Sequence, residues 1–257
     1  MCNFLSAIVT RQGEIFCNPL LDSHEDLIDL FQLKDNRMDH FVRVEFSPVE
    51  KINLDKIEKY IFRVDEESTP KWFDEELKDK TICKLKDILK KIIITENRKI
   101  LVDGAYILSG CKIEKITECR VVALCGGTVN EICGGTVNAI WGGTVNKIRG
   151  GTVNKIRGGT VNKIRGGTVN KIRGGTVNKI RGGTVNEILG GTVNEICGGT
   201  VNAIRGGTVN KIRGGTVNEI LGGTVNEIRG GTVNAIWGGT VNEICGGTVI
   251  KDFRVKK

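Results

Sequence analysis

An eight-residue repeat, Gly-Gly-Thr-Val-Asn-x-Ile-x, constrains this chain more than any other feature. It begins at Gly126 and occupies sixteen consecutive octets, ending with the variant Gly246-Gly-Thr-Val-Ile-Lys-Asp-Phe253. Paired glycines every eight residues, with β-branched residues at three of the other six positions, are incompatible with a helix. A unit this short cannot bury its own apolar side chains, so its copies must stack on one another. The repeat therefore predicts a parallel β-solenoid.

The variable positions of the octet indicate how many octets form one coil. With octets numbered from Gly126, the last position is cysteine only in odd octets, and tryptophan, leucine or phenylalanine only in even octets. Alanine at the sixth position also occurs only in even octets. This segregation predicts a 16-residue coil in which two successive octets form opposite sides. Eight such coils would give a rod of roughly 38 Å.

Valine and isoleucine stand three residues apart in each octet, which would place them on opposite faces of a flat strand. A bend at asparagine, a residue that tolerates turn conformations, would direct both side chains inward. We therefore expect each coil to bury two valines and two isoleucines, with Gly-Gly at the corners and asparagine side chains hydrogen-bonded from coil to coil. The alternative is a flat strand with threonine, asparagine and isoleucine inward and valine outward.

The chain divides into three predicted segments. Residues 1–109 are expected to form an α+β cap domain, residues 110–249 the β-solenoid with a degenerate coil ahead of Gly126, and residues 250–257 a C-terminal tail. The cap and the tail would each cover one end of the solenoid, whose open strand edges could otherwise pair with other chains. The pattern of the cap predicts a hairpin of Phe4–Thr10 and Glu14–Cys17, a helix over Ser23–Leu33, strands at His40–Phe46 and Tyr60–Val64, and an amphipathic helix from Thr69-Pro70 to about Ile94.

Composition excludes several classes of protein. The 35 glycines do not recur every third residue, which excludes collagen, and 39% hydrophobic residues argue against disorder. No apolar run reaches the ~20 residues of a membrane-spanning helix, so we expect no membrane partner. Nine cysteines, an odd number, without a secretion signal favour a reducing compartment and a cytoplasmic protein. No cofactor motif or small-molecule substrate site is evident.

The octets resemble the short-repeat β-solenoid class, which includes pentapeptide-repeat proteins and the glycine-rich nonapeptide β-rolls. The aspartate of the calcium-binding Gly-Gly-x-Gly-x-Asp turn is absent, so the resemblance implies a fold without bound calcium. It covers residues 110–253. The whole chain also resembles uncharacterised phage or prophage proteins with such repeats. Some pentapeptide-repeat proteins that block nucleic-acid enzymes present an acidic surface, whereas the octets of this chain are basic.

Octets three to seven are five consecutive copies of Gly-Gly-Thr-Val-Asn-Lys-Ile-Arg, which we call the basic belt. Like charges in register repel one another, so the belt indicates an anionic partner, with the nucleic-acid backbone as one candidate. The alternative is a solubilising surface produced by expansion of a single octet. The belt consists of Lys147, Arg149, Lys155, Arg157, Lys163, Arg165, Lys171, Arg173, Lys179 and Arg181.

The even octets carry apolar residues at their variable positions, which indicates a second interaction surface. A two-fold axis at the fourth coil would place Trp141 opposite Trp237, and Lys155 opposite Glu219. Such self-complementarity is what an isologous interface requires, so we expect an antiparallel homodimer. The alternative is that these are scattered surface residues. The candidate dimer face comprises Ala139, Trp141, Leu189, Leu221, Ala235, Trp237 and Phe253.

The remaining reactive residues do not form a recognisable catalytic or metal site. Cys2 could become an N-terminal nucleophile after removal of methionine, but a buried or incidental thiol fits the sequence better. His24 lies at a predicted helix start, and His40 begins a predicted strand without a spaced partner. Four cysteines fall on alternating sides of the coil and cannot converge on one metal ion. These are Cys111, Cys119, Cys125 and Cys133.

These features predict a non-enzymatic binding or scaffold protein that presents a rigid basic solenoid surface to a macromolecular partner, as a homodimer. A protein partner is favoured over nucleic acid, because no aromatic residues interleave with the belt for base stacking. Sequence-independent nucleic-acid binding through the belt is the first alternative. A small cysteine-dependent enzyme in the N-terminal domain is the second.

Overall fold

The computed structural model describes residues 5–21, 23–34, 40–48 and 54–254. The chain divides into two units, Met1–Ile93 and Ile94–Lys257. The first is an α+β unit and the second a parallel β-solenoid, so the predicted fold class is confirmed.

Within the described residues, the N-terminal unit contains four antiparallel strands, two α-helices and one 3-10 helix. The elements are β1 (Leu5–Thr10), β2 (Ile15–Phe16), α1 (His24–Leu30), β3 (Phe41–Ser47), the 3-10 helix (Leu54–Lys59), β4 (Ile61–Val64) and α2 (Glu75–Ile92). The strand order is β2-β1-β3-β4. Strand β1 is buried along its whole length, so both faces of the sheet are covered there. On one face, Ile8, Leu27 and Phe41 pack together.

The predicted hairpin and the strands β3 and β4 are confirmed within one residue of their ends. The predicted helix α1 is confirmed, but it ends at Leu30, three residues before the expected Leu33. Ser23 is the N-cap of α1, and its side chain accepts a hydrogen bond from the Asp26 backbone N–H. The predicted start of the second helix at Thr69-Pro70 is wrong. The helix α2 begins at Glu75 because the Asp74 carboxylate accepts a hydrogen bond from the Leu77 N–H at 2.9 Å and caps it there.

The solenoid consists of two parallel sheets, which we name by their octets: the odd sheet contains the odd-numbered octets and the even sheet the even-numbered octets. Because the strands are numbered along the whole chain, the odd sheet contains the even-numbered strands. The odd sheet has the order β24-β22-β20-β18-β16-β14-β12-β10-β8-β6, and the even sheet the order β25-β23-β21-β19-β17-β15-β13-β11-β9-β7-β5. The strands are β5 (Ile93–Ile94), β6 (Arg98–Leu101), β7 (Ala105–Leu108), β8 (Lys112–Ile116), β9 (Arg120–Leu124), β10 (Thr128–Ile132), β11 (Thr136–Ile140), β12 (Thr144–Ile148), β13 (Thr152–Ile156), β14 (Thr160–Ile164), β15 (Thr168–Ile172), β16 (Thr176–Ile180), β17 (Thr184–Ile188), β18 (Thr192–Ile196), β19 (Thr200–Ile204), β20 (Thr208–Ile212), β21 (Thr216–Ile220), β22 (Thr224–Ile228), β23 (Thr232–Ile236), β24 (Thr240–Ile244) and β25 (Thr248–Asp252).

The register of the ladders confirms the 16-residue coil. Thr144 pairs with Thr160 in the odd sheet, and Thr152 pairs with Thr168 in the even sheet. Successive octets therefore lie in opposite sheets. The parallel pairing also reaches back before residue 110, since Arg98 pairs with Ile113. The coils thus extend N-terminal to the boundary expected from the sequence.

Valine and isoleucine both point into the core, so the flat-strand alternative is wrong. Val161 and Ile164 have no exposed surface, whereas Asn162 between them is only half-buried. The ladder register pairs the residues on either side of asparagine and omits asparagine itself in every pair of complete octets, as expected for a bend at this position. The stacked valines and isoleucines form one continuous apolar column along the solenoid.

The corners of the coil require glycine for two reasons. Gly159 has φ +71°, a left-handed conformation that strains other residues, and a Cβ atom there would lie 2.5 Å from the Gly143 carbonyl oxygen. A Cβ atom on Gly158 would lie 2.4 Å from the Trp141 carbonyl oxygen. In the degenerate coil, Cys111 and Cys119 occupy the position of the second glycine. Neither cysteine has a positive φ, because Gln32 is the one described non-glycine residue that does. These two corners therefore follow a different backbone path, and their thiols join the core.

The described part of the C-terminal tail continues the solenoid. Strand β25 pairs with β23, with Lys251 opposite Ala235. Arg254 forms an ion pair with Asp252 at 2.7 Å. Ile244 and Ile250, in the last two strands, are 47% and 59% exposed.

Candidate interaction surfaces

The sixth and last positions of the octets form columns along the outside of the solenoid. We call the outer surface of the odd sheet the odd face and that of the even sheet the even face. The register aligns Lys147, Lys163 and Lys179 on the odd face, and Lys155 with Lys171 on the even face. Neighbouring strands in a sheet are about 4.8 Å apart, so these cations stand close together. The basic belt thus divides into six cations on the odd face and four on the even face.

Glutamates neutralise both ends of the belt on the odd face. The Glu131 carboxylate contacts Lys147 at 3.0 Å and Arg149 at 2.9 Å. At the other end, the Glu195 carboxylate contacts Lys179 at 3.0 Å and the more distal Arg213 at 3.5 Å. The hydrogen bond from Lys147 holds the pKa of the Glu131 carboxyl below its ordinary value, and that from Lys179 does the same for the pKa of Glu195.

On the even face, one belt cation is paired with a carboxylate and another with an aromatic ring. Glu187 contacts both Lys171 and Arg205 at 3.2 Å. The Arg157 guanidinium lies over the ring of Trp141, 4.3 Å from the centroid, in a cation–π contact. Burial of the guanidinium, followed by repulsion from Arg173, lowers the pKa of Arg157.

The middle of the belt carries uncompensated positive charge. Lys163, Arg165, Arg173 and Arg181 form no ion pair with any residue that the structure describes. On the odd face, this leaves a complete coil, that of Lys163 and Arg165, between two coils whose lysines are bound to glutamates. An anionic group that approached this coil would find both cations available.

A shallow groove of about 690 Å³ runs along the odd face beside the belt. Three lysines, three asparagines and two glutamates line it, with both glutamates towards its N-terminal end. The lining residues are Glu114, Lys115, Asn130, Glu131, Asn146, Lys147, Asn162 and Lys163. Amide and ammonium groups therefore face the same concave surface. This arrangement offers hydrogen-bond donors and positive charge to an elongated anionic ligand.

The large apolar residues of the candidate dimer face lie on the even face. Trp237 and Phe253 are about half exposed, and their rings stack with centroids 4.1 Å apart. Leu189 and Leu221 are partly exposed. Ala235 is half-buried and Ala139 is buried. Within the chain, the Trp141 ring is instead covered by Arg157. The 16-residue register could have predicted both ring contacts.

The four cysteines around the degenerate coil are not brought together at one site. Burial raises the pKa of the Cys119 thiol to about 11 and that of Cys125 to about 12, so both resist the deprotonation that metal binding requires. Cys111 is buried in the core, and Cys133 lies half-buried near the Glu131 carboxylate.

One cluster of three residues of the kinds that bind metal ions was not predicted from the sequence. Among the described residues, Glu227, Glu243 and Cys245 are the one set whose ligand atoms lie within 4.8 Å of one another. Glu227 is already bound to Arg229, and Lys211 lies 3.7 Å from it. Hydrogen bonding to Glu243 leads the causes that raise the pKa of the Cys245 thiol to about 11. Glu227, the buried member of the cluster, is therefore already paired with cations of the chain itself.

The cysteine and histidine residues of the N-terminal unit that the structure describes do not form a catalytic arrangement. Cys2 lies outside the described residues. Burial raises the pKa of the Cys17 thiol to about 12, which disfavours a nucleophilic thiolate. The buried His24 ring contacts the Val44 carbonyl at 3.1 Å and the Asp65 carboxylate at 3.3 Å, which anchors α1 to the sheet. His40 is exposed.

In the part of the chain that the structure describes, none of the helices combines the length and the apolar character needed to traverse a lipid bilayer. The chain matches no protein-family model, and a search of curated proteins returns no relative.

Proposed function

We propose that this chain is a non-enzymatic binding protein that presents the basic belt of its solenoid to an anionic macromolecular partner. The observation that carries the proposal is the uncompensated coil of Lys163 and Arg165 on the odd face. Glu131 and Glu195 neutralise the neighbouring lysines but not this coil. Close like charges destabilise each other, so their retention in register is accounted for by a ligand that neutralises them.

The rigidity of the solenoid supports this function. Each coil is held by parallel backbone ladders, a fully buried valine–isoleucine column and asparagine hydrogen bonds. The cations of the odd face therefore stand on a backbone that loses little conformational freedom when a partner binds. Preorganisation of this kind increases the fraction of the interaction energy that appears as affinity.

An acidic protein surface is the partner that the side chains favour. The described belt region of the odd face offers ammonium, guanidinium and amide groups. The Trp141 ring, on the other face, already stacks with Arg157. Recognition of bases would need free aromatic rings for stacking, whereas recognition of carboxylates needs only the donors present. The groove on the odd face makes nucleic-acid backbone the second candidate, because it is elongated and its C-terminal end, at Lys163, has no carboxylate in its lining.

The proposal also includes a cytoplasmic location and a relationship to phage or prophage proteins. All eight described cysteines are free thiols, which supports a reducing environment.

Two identical octets provide a matched test. Residues 158–165 and 206–213 have the same sequence, Gly-Gly-Thr-Val-Asn-Lys-Ile-Arg, and both lie on the odd face. Lys163 and Arg165 are unpaired, whereas Lys211 and Arg213 contact Glu227 and Glu195. The octet-five variant carries Lys163→Gln and Arg165→Gln. The octet-eleven variant carries Lys211→Gln and Arg213→Gln, with the same change in net charge.

Binding would be measured by fluorescence anisotropy with labelled poly-glutamate and labelled duplex DNA. We expect the octet-five variant to bind both probes at least about fivefold more weakly, a difference of about 1 kcal/mol, and the octet-eleven variant to bind like the wild type. Tighter binding of poly-glutamate than of DNA at equal ionic strength would support the acidic protein partner, and the reverse would support nucleic acid. Equal losses in both variants, or no loss in either, would contradict the proposal.

A further inference from the structure

The two faces of the solenoid have the same core but different surfaces. At the last position of the octets, the described odd face carries only arginine and cysteine, whereas the even face also carries tryptophan, leucine and phenylalanine. Beyond the belt, the even face is mainly apolar at these positions, with Leu189, Leu221, Trp237 and Phe253 on four of its last five coils. An exposed apolar surface of this kind on one side of a protein marks an interaction site.

Glu219 lies on this apolar part of the even face. Its neighbours in the column of sixth residues are Ala203 and Ala235. Glu219 forms no ion pair with any described residue, although Glu187, in an identical octet on the same face, contacts both Lys171 and Arg205. The chain therefore provides cations for Glu187 but leaves Glu219 with alanines on either side.

A second copy of this chain supplies the cation that Glu219 lacks. A two-fold axis parallel to the strands, passing through the coil of Leu189, reverses the solenoid direction and keeps each column facing its own copy. Lys155 lies two coils from the axis on one side, and Glu219 lies two coils from it on the other side. The axis therefore brings Glu219 against Lys155 of the second copy twice in one dimer. It also brings Trp141 against Trp237.

At its centre, the same axis brings together like charges that are only partly compensated within each chain. It places Arg173 opposite Arg205 and Glu187 opposite its own copy. Arg205 and Glu187 contact each other at 3.2 Å within their own chain, whereas Arg173 forms no ion pair with any described residue. The opposite charges at the flanks make the interface electrostatically complementary there, and they must outweigh the approach of Arg173 to Arg205 nearer the centre.

The size of the face is sufficient for a dimer. Eight coils at ~4.8 Å and strands of five residues at ~3.3 Å give roughly 600 Å² of projected area on each protomer. Both protomers together would bury about 1,200 Å², the lower end of the range for specific interfaces.

We propose that the even face is the interface of an antiparallel homodimer in which Glu219 pairs with Lys155 of the second copy. The odd faces, with six belt cations each, then point outward on both sides. The proposal is independent of the anionic partner, because the dimer uses the face opposite to the uncompensated coil of Lys163 and Arg165.

Charge reversal and its rescue test both the interface and its register. Sedimentation equilibrium of the wild type should show a dimer. Glu219→Lys and Lys155→Glu should each weaken dimerisation at least about tenfold, since each replaces two attractive pairs with two repulsive ones. The double variant Glu219→Lys/Lys155→Glu should restore it, whereas Glu219→Lys/Lys171→Glu should not, because Lys171 lies opposite Ala203.

Glu243→Lys, the same change on the odd face, is the matched control and should leave the dimer intact. Circular dichroism identifies any variant that fails to fold, and the rescue comparison uses only folded proteins. A wild type that stays monomeric at about 100 μM, or rescue by Lys171→Glu equal to that by Lys155→Glu, would overturn the proposal.

Discussion

The Asn178 side-chain amide donates a hydrogen bond through Nδ2 to Oδ1 of Asn162, one coil below, at 2.7 Å. Asn162 in turn donates to Asn146 at 2.8 Å. The same bond recurs along both sheets, so each interior asparagine uses one donor and one acceptor to link its two neighbouring coils. The odd ladder ends at its N-terminal side on the Glu114 carboxylate, which accepts from Asn130. Asparagine therefore has two roles in each octet: its backbone forms the bend, and its side chain forms the amide ladder.

Replacing Asn162 with alanine should destabilise the surrounding coils by about 1–3 kcal/mol, because it removes two hydrogen bonds and leaves the half-buried amides of Asn146 and Asn178 each without one partner. Native-state hydrogen exchange of the neighbouring strands measures the loss. Lys163→Ala, one residue away on the surface, should change the same exchange free energies by less than about 0.5 kcal/mol. Similar effects of the two substitutions would show that the ladder contributes nothing to stability.

The corner glycines are predicted to tolerate alanine poorly. Gly159→Ala combines a left-handed backbone with a Cβ atom 2.5 Å from the Gly143 carbonyl oxygen. Gly13, in the N-terminal hairpin, has a similar φ of +80°, but a Cβ atom there would lie 3.7 Å from the flexible Leu77 side chain, an ordinary van der Waals distance. We expect the alanine substitution at Gly13 to lower the free energy of unfolding by about 1–2 kcal/mol, from conformation alone. The substitution at Gly159 should lower it by at least twice that amount. Hydrogen exchange in each unit reports the two costs separately. Equal costs would mean that the coil expands to accept the methyl group.

The pairs at the ends of the belt predict an acid dependence of solenoid stability. The pKa values of Glu131 and Glu195 are lower in the folded chain than their ordinary value near 4.5, chiefly because Lys147 and Lys179 donate hydrogen bonds to them. A carboxyl with a lowered pKa stabilises the folded state above its unfolded pKa, and this contribution is lost as the pH falls through the folded value. The Tm of the solenoid should therefore fall on acidification below about pH 4.5.

The variant Glu131→Gln/Glu195→Gln provides the comparison for that acid dependence. Its Tm should be lower than that of the wild type at neutral pH, and the two curves should converge in acid, because the glutamines cannot lose a charge. Thermal unfolding followed by circular dichroism from about pH 2.5 to 7 gives both curves. Curves that stay parallel across this range would contradict the role assigned to the two carboxylates.

The solenoid could be predicted from the sequence because its determinants recur in every octet. Val161 and Ile164 set the core, Asn162 sets the bend, and Gly158 and Gly159 set the corner. Sixteen copies of the same local preference leave few alternative folds. The segregation of cysteine and of tryptophan by octet parity was sufficient to give the coil length.

The contacts that distinguish one coil from another were harder to predict. Along the chain the belt is a block of cations without acids, but its neighbours in space are sixteen residues away, where Glu131 and Glu195 lie. The octet frame places Cys111 and Cys119 at corners, whereas their burial in the core depends on a changed backbone path that the frame does not show. The start of α2 was missed because the cap at Asp74 is a single local hydrogen bond.

The salt dependence of duplex DNA binding tests most directly whether unpaired belt cations, rather than net charge, attract the polyanion. A plot of log Kobs against log salt concentration gives the number of phosphates neutralised. For the Lys163→Gln/Arg165→Gln variant, we predict a slope smaller in magnitude than that of the wild type by about 1–2. The Lys211→Gln/Arg213→Gln variant should keep the wild-type slope. The same slope for both variants would contradict the account.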